Sequence, residues 1–136
     1  KVFLTASHGD FGYGNILIDS RTGKINGVID WEMGKEYELP GIDYLNLLIQ
    51  IKRSQFGYNV SQAFIETFNK NFFSSRVDDE SFYAEKFGLV GELTKIAFYV
   101  CLIRYISRAA QYPEIFETEK ADYLKSLRFL KELAPL

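Results

Sequence analysis

Apolar and polar positions follow two rhythms along this chain. Up to residue 30 the apolar runs are short and rich in β-branched residues; beyond residue 40 they recur at helical spacing. Asn15-Ile16-Leu17-Ile18-Asp19 reads as a strand, Ser20-Arg21-Thr22-Gly23 as a turn, and Lys24-Ile25-Asn26-Gly27-Val28-Ile29 as the returning strand. Antiparallel pairing would bring the open ends of this hairpin, Asn15 and Asp30, side by side. Lys1 to Ser7 reads as a short strand or the end of a helix. His8 to Gly14 is a loop with three glycines, which allow tight backbone paths and positive φ, with Gly14 placed to turn Asn15 back beside Asp10. Trp31 to Leu39 is polar and loop-like.

After Pro40-Gly41-Ile42-Asp43 a helix is predicted to about Lys52, with Leu45, Leu48, Ile49 and the Lys52 stem on one face. Phe56-Gly57-Tyr58-Asn59 is a break. Ser61 then caps a second helix across Ala63, Phe64, Ile65, Phe68 and Phe72. Ser74 to Asp79 reads as a polar loop. A long helical pattern follows to about Ala110, interrupted near Gly88 and Gly91, with Leu93, Ile96, Ala97, Val100 and Ile103 as its apolar face. Tyr112-Pro113 stops it. A last amphipathic helix is predicted over roughly Glu117 to Ala134, with Leu124, Leu127, Leu130 and Leu133 inward. The fold class is therefore α+β and mostly helical: a short β-hairpin on a helical bundle.

Composition narrows the function class. A chain of 136 residues with 47% hydrophobic positions suits one globular domain, not a disordered segment. A net charge of -2 with interspersed signs gives no basic stripe for nucleic acid. The lone Cys101, inside an apolar run, cannot form an internal disulfide, so no oxidising compartment is required. No signal peptide or membrane-length apolar run is visible. These features point to a cytoplasmic chain that binds neither nucleic acid nor membrane.

The candidate chemistry lies in His8-Gly9-Asp10-Phe11-Gly12-Tyr13-Gly14-Asn15 and in Ile29-Asp30-Trp31-Glu32. Two carboxylates and an amide oxygen at this spacing make a plausible metal and phosphate site, because magnesium on a nucleotide takes one or two carboxylates, further oxygens and the phosphates. His8 is the only histidine, and no motif marks a Ser or Cys partner for a hydrolase triad. A metal-dependent hydrolase using His8 and Asp10 lacks enough ligands for a zinc or two-metal site. Trp31, Glu32, Glu36 and Glu38 form either an acidic rim for an acceptor or a solvated surface loop; the loop is the simpler reading. Arg104 and Arg108, one helical turn apart, read as a surface face before an anion site.

Asp10 and Asn15 have the five-residue offset of the protein-kinase catalytic base and its magnesium-binding Asn, and a second Asp follows a hairpin. With Pro40-Gly41-Ile42-Asp43 in the same order, residues 1 to about 50 resemble the aminoglycoside phosphotransferase and choline kinase family. The resemblance implies the C-terminal lobe of a protein-kinase-like fold, with catalytic loop and metal-site hairpin over 1–39 and a helical subdomain over 40–136. It implies Asp10 as the catalytic base, Asn15 and Asp30 as magnesium ligands on ATP, and His8 and Asp43 as supports of the catalytic loop. Leu17 and Ile29 are either the floor of the adenine pocket or ordinary core. The implied reaction transfers the γ-phosphate of ATP to a hydroxyl of a small molecule: a sugar, aminoglycoside or amino alcohol. The chain starts only seven residues before His8, so the nucleotide-binding N-terminal lobe is expected elsewhere, in a missing lobe or a parent protein. The competing reading is a catalytically inactive kinase-like interaction or regulatory module.

Overall fold

The computed structural model describes residues 4–73 and 92–132. Ser74 to Gly91, the Val2-Phe3 pair and Leu133 fall outside them, as do the loop and the early helical pattern read there. Four strands, β1 (Thr5–Ser7), β2 (Ile16–Ile18), β3 (Ile25–Val28) and β4 (Lys35–Glu38), precede the helices. β2 and β3 form the predicted antiparallel hairpin, with Ile16 opposite Val28 and Leu17 opposite Gly27. Its turn is closed locally. Asp19 Oδ1 accepts the N–H groups of Arg21 (2.8 Å) and Thr22 (3.2 Å), and Gly23 takes φ 68°. Those two backbone donors favour the ionised Asp19 and hold its carboxyl below the usual range.

The stretch read as a loop after Asp30 contains β4, which pairs antiparallel with β1 through Thr5–Glu38 and Ser7–Lys35. Lys35-Glu36-Tyr37-Glu38 carries no apolar alternation, because this two-stranded ribbon buries neither face of β4 deeply. Pairing with β1 also makes the Thr5–Ser7 segment a strand rather than a helix end.

The described helices are α1 (Ile42–Phe56), α2 (Val60–Phe73), α3 (Glu92–Ala109) and α4 (Pro113–Glu132). α1 packs on α2 and α3, and α4 packs on α2 and α3. None of the described helices is long and apolar enough to cross a membrane. Phe64 and Phe68 of α2 meet Phe98 of α3 edge to face, at centroid distances of 5.3 and 4.9 Å. Phe68 also meets Phe129 of α4 at 5.4 Å. All three of Phe64, Phe68 and Phe98 are 0% exposed, so each contributes about 1.5–3 kcal/mol of burial.

Several local assignments shift. Asn59, not Ser61, caps α2: Asn59 Oδ1 accepts the Gln62 N–H (2.9 Å), and Gln62 Oε1 accepts the Asn59 N–H (3.1 Å). Ser61 is buried instead, with its hydroxyl 3.1 Å from Asp122 Oδ1 on α4. α3 buries Thr94, Ala97, Phe98, Cys101 and Leu102, whereas Ile96 and Ile103 are exposed. Apolar residues surround this helix, so spacing alone did not pick its buried face. α4 starts at Pro113 rather than Glu117, since proline's fixed φ suits a first helical turn. It buries Tyr123, Ser126 and Leu130 and leaves Leu124 exposed.

Candidate active site

The loop from His8 to Asn15 is built on backbone bonds rather than apolar burial. Asp43, in the first turn of α1, accepts the His8 N–H at 2.6 Å and the Gly9 N–H at 3.0 Å. The carboxylate is thus spent on the loop; the α1 N-cap is Gly41, without a side-chain cap bond. One helical turn on, the Asn46 side chain donates to the Phe11 carbonyl at 2.8 Å. A rigid helix therefore grips the loop at both flanks of Asp10.

His8 ties the loop to the hairpin. Its ring is buried and packs against Trp31 at a tilt of 48°, with centroids 4.6 Å apart. Nε2 lies 2.7 Å from the Ile29 carbonyl, and Nδ1 accepts the Asp10 N–H at 3.3 Å. A carbonyl can only accept, so the proton sits on Nε2 and both nitrogens are engaged. That leaves the ring no free lone pair for proton abstraction.

Gly9 makes the sharp turn. It takes φ 81°, and a Cβ there would lie 2.1 Å from the Met33 carbonyl oxygen. Gly12 and Gly14 do not have positive φ, and Gly14 faces open space. The turn that carries Asn15 back is instead a 3-10 turn over Tyr13–Asn15, closed by Asn15 N–H to the Gly12 carbonyl at 3.0 Å. The Asn15 side chain then donates to the Asp10 carbonyl at 3.0 Å. Across the hairpin, Ile29 N–H donates to the Asn15 carbonyl at 3.0 Å. Asp10, Asn15 and Asp30 are drawn to one end of the hairpin by these two bonds.

Asp30 follows with φ 65° and ψ 57°, the one left-handed non-glycine among the described residues. Such a conformation is costly for most side chains, persists where surrounding structure imposes it, and clusters at functional sites. Leu17 and Ile29, at 47% and 45% exposure, are not core residues; they form an open apolar surface beside this end.

The two arginines read as a surface face are both paired. Arg108 of α3 places Nη1 2.5 Å from Asp10 Oδ1, and its other nitrogen 3.3 Å from the Gly9 carbonyl. Arg104 pairs with Glu38, which also lies 3.7 Å from Lys35. Glu38 is therefore engaged in ion pairs rather than lying in a solvated loop, while Glu32 and Glu36 are exposed. No local signal links Arg108 to Asp10, because 98 residues separate them.

The sequence model of the phosphotransferase enzyme family matches residues 3–80, more than half of the chain. No curated protein and no solved structure matches the chain. The match spans the His8–Asn15 loop, the hairpin and Asp43, and the chain belongs to the phosphotransferase enzyme family.

Proposed function

We propose that the chain is the catalytic lobe of an ATP-dependent small-molecule kinase, kinase-like in fold, with residues 1–39 and 40–136 as parts of one lobe. It transfers the γ-phosphate of ATP to a hydroxyl of a sugar, aminoglycoside or amino alcohol. The observation that carries this reading is the convergence of Asp10, Asn15 and Asp30 at one hairpin end, with Asp30 in a left-handed backbone.

Phosphoryl transfer needs little covalent chemistry from a protein, so positioning and charge placement dominate. Asp10 receives the acceptor hydroxyl and its proton. Arg108 on Oδ1 and the Asp43 clasp on the preceding two amides fix the direction of that carboxylate. Asn15 and Asp30 offer an amide oxygen and a carboxylate to magnesium. Among the described residues no group of three or more His, Cys, Asp or Glu could hold a metal ion. Two hard oxygen donors suit a cation delivered on phosphates better than one caged by protein. When bound, magnesium offsets charge on the phosphates. Leu17 and Ile29 supply an apolar floor for the nucleobase.

In the complete protein, Asp10→Asn is expected to lower kcat about 10²- to 10⁴-fold while nucleotide binding persists. Unchanged turnover removes Asp10 from the role. One observation favours a second reading, an inactive kinase-like module: Arg108 occupies an Asp10 oxygen. Turnover of the complete wild-type protein over a broad acceptor panel decides between them.

A further inference from the structure

Asp10 has four polar groups, and the fold engages three of them. Its N–H donates to His8 Nδ1 at 3.3 Å, its carbonyl accepts from the Asn15 side chain at 3.0 Å, and Oδ1 accepts from Arg108 Nη1 at 2.5 Å. Only Oδ2 has no hydrogen-bond partner among the described residues. The two backbone bonds fix where Asp10 sits. They do not fix where its carboxylate points, because the torsion that turns a carboxylate about its own axis is broad.

Arg108 supplies that restraint. A guanidinium is a planar, rigid fork. While Nη1 holds Oδ1, Nη2 lies 3.3 Å from the Gly9 carbonyl, and Gly9 is itself held by Asp43 through its N–H at 3.0 Å. The fork therefore spans an anchored backbone atom and one carboxylate oxygen, so the other oxygen is aimed rather than blocked. Two further features single out this contact. The His8–Asn15 loop has no lysine or arginine of its own, so the cation at Asp10 comes from α3, 98 residues on. The paired side chains are 38% and 32% exposed, and an ion pair so open to water contributes little to folding. Arg104, one turn earlier on α3, pairs with Glu38 in a much less exposed setting and is the better tie between that helix and β4.

We propose that Arg108 is a positioning residue for phosphoryl transfer, acting through Asp10 by turning Oδ2 toward the acceptor hydroxyl. The inference deepens the kinase reading above and rests on it. Orientation of this kind matters for rate, since a misplacement of about 1 Å can cost about 10²-fold. It bears on kcat rather than on nucleotide binding, because Arg108 bonds to Gly9 and Asp10 and not to the Asn15 and Asp30 side chains proposed for magnesium.

The test is conversion of magnesium-ATP to ADP by the longest protein that contains this chain, with water alone and with glucose, kanamycin or choline added. Arg108→Ala is expected to lower kcat about ten- to hundredfold while KM for magnesium-ATP moves less than about twofold. Arg108→Lys keeps the charge but loses the fork, so it should recover part of that loss. The double variant Asp10→Asn with Arg108→Ala should be no slower than Asp10→Asn alone, because residues that act as one unit are not additive. Amide shifts of Phe64 and Phe98 report whether each variant is folded, and Arg108→Gln supplies the same comparison if the alanine variant is not. Wild-type or raised kcat in Arg108→Ala, no rescue by lysine, or additive losses in the double variant overturn the inference. If Asp10→Asn is inactive in those cases, the kinase reading stands and only the role of Arg108 falls. ADP formation that survives Asp10→Asn, or none by the wild type, removes the kinase reading and this inference with it.

Discussion

The helical bundle and the hairpin end of this chain are held by different forces. In the bundle, Phe64, Phe68 and Phe98 are fully buried and, with Phe129, meet across three helices. In the hairpin, Leu17, Ile18, Ile25 and Ile29 are all about half exposed or more, and order comes from backbone bonds, from Asp19 in the turn and from the His8 bridge. Stability is thus concentrated away from the hairpin end that carries Asn15 and Asp30. The candidate site sits on the lightly buried part and borrows rigidity from α1 through Asp43 and Asn46. Local stability within a fold is uneven, and ligand-binding segments come from its low end.

That contrast is breakable by substitution. Phe68→Ala removes the ring shared by three helices and should cost about 3–5 kcal/mol of unfolding free energy in urea titration. A cost under 1 kcal/mol would mean that the bundle is not the stabilising half. Asp43→Ala removes the acceptor of two loop amides. It should cost about 1.5–3 kcal/mol, and it should disperse the amide shifts of His8 and Gly9 while those of Phe64 and Phe98 stay in place. Core shifts of equal size would show that loop and bundle are one cooperative unit. Leu17→Ser, on the open hairpin surface, should change stability by no more than about 0.5 kcal/mol yet weaken nucleotide binding. A large stability loss would return Leu17 to the core.

A last effect, absent at neutral pH, is a pH dependence confined to the bundle. Burial pushes the Cys101 thiol up to about 12. Burial likewise raises Tyr105, and raises Tyr123 together with its bond to Glu119. Native-state pKa values raised above those of the unfolded chain contribute stability that is complete below the unfolded thiol's value, about 8.5. That contribution fades as pH rises toward about 12. The stability advantage of the wild type over Cys101→Ala should therefore narrow between neutral and strongly alkaline pH. A constant difference would deny that the thiol is held protonated by burial.

Much of the site was legible because its signals are local. The β-branched runs and the Gly23 turn set the hairpin, and the hairpin set the meeting of Asn15 with Ile29 and Asp30. What escaped reading was non-local. β4 exists through its partner β1, more than 25 residues away, and not through its own pattern. The buried face of α3 depends on which neighbours arrive, so Thr94 is buried while Ile96 is exposed. Arg108 reaches Asp10 only because the fold brings α3 back against the His8–Asn15 loop. Gly9 rather than Gly14 makes the tight turn because the Met33 carbonyl lies against it, a contact invisible in the loop's own sequence.

The most direct test of the central claim is a magnesium-ATP titration of this chain followed by amide shifts, with Asp30→Asn as control. The account predicts shifts clustered on Asn15, Leu17 and Ile29 that vanish in the variant. Shifts that persist unchanged in Asp30→Asn, or a complete lack of response at Asn15 in the longest protein that contains this chain, would contradict it.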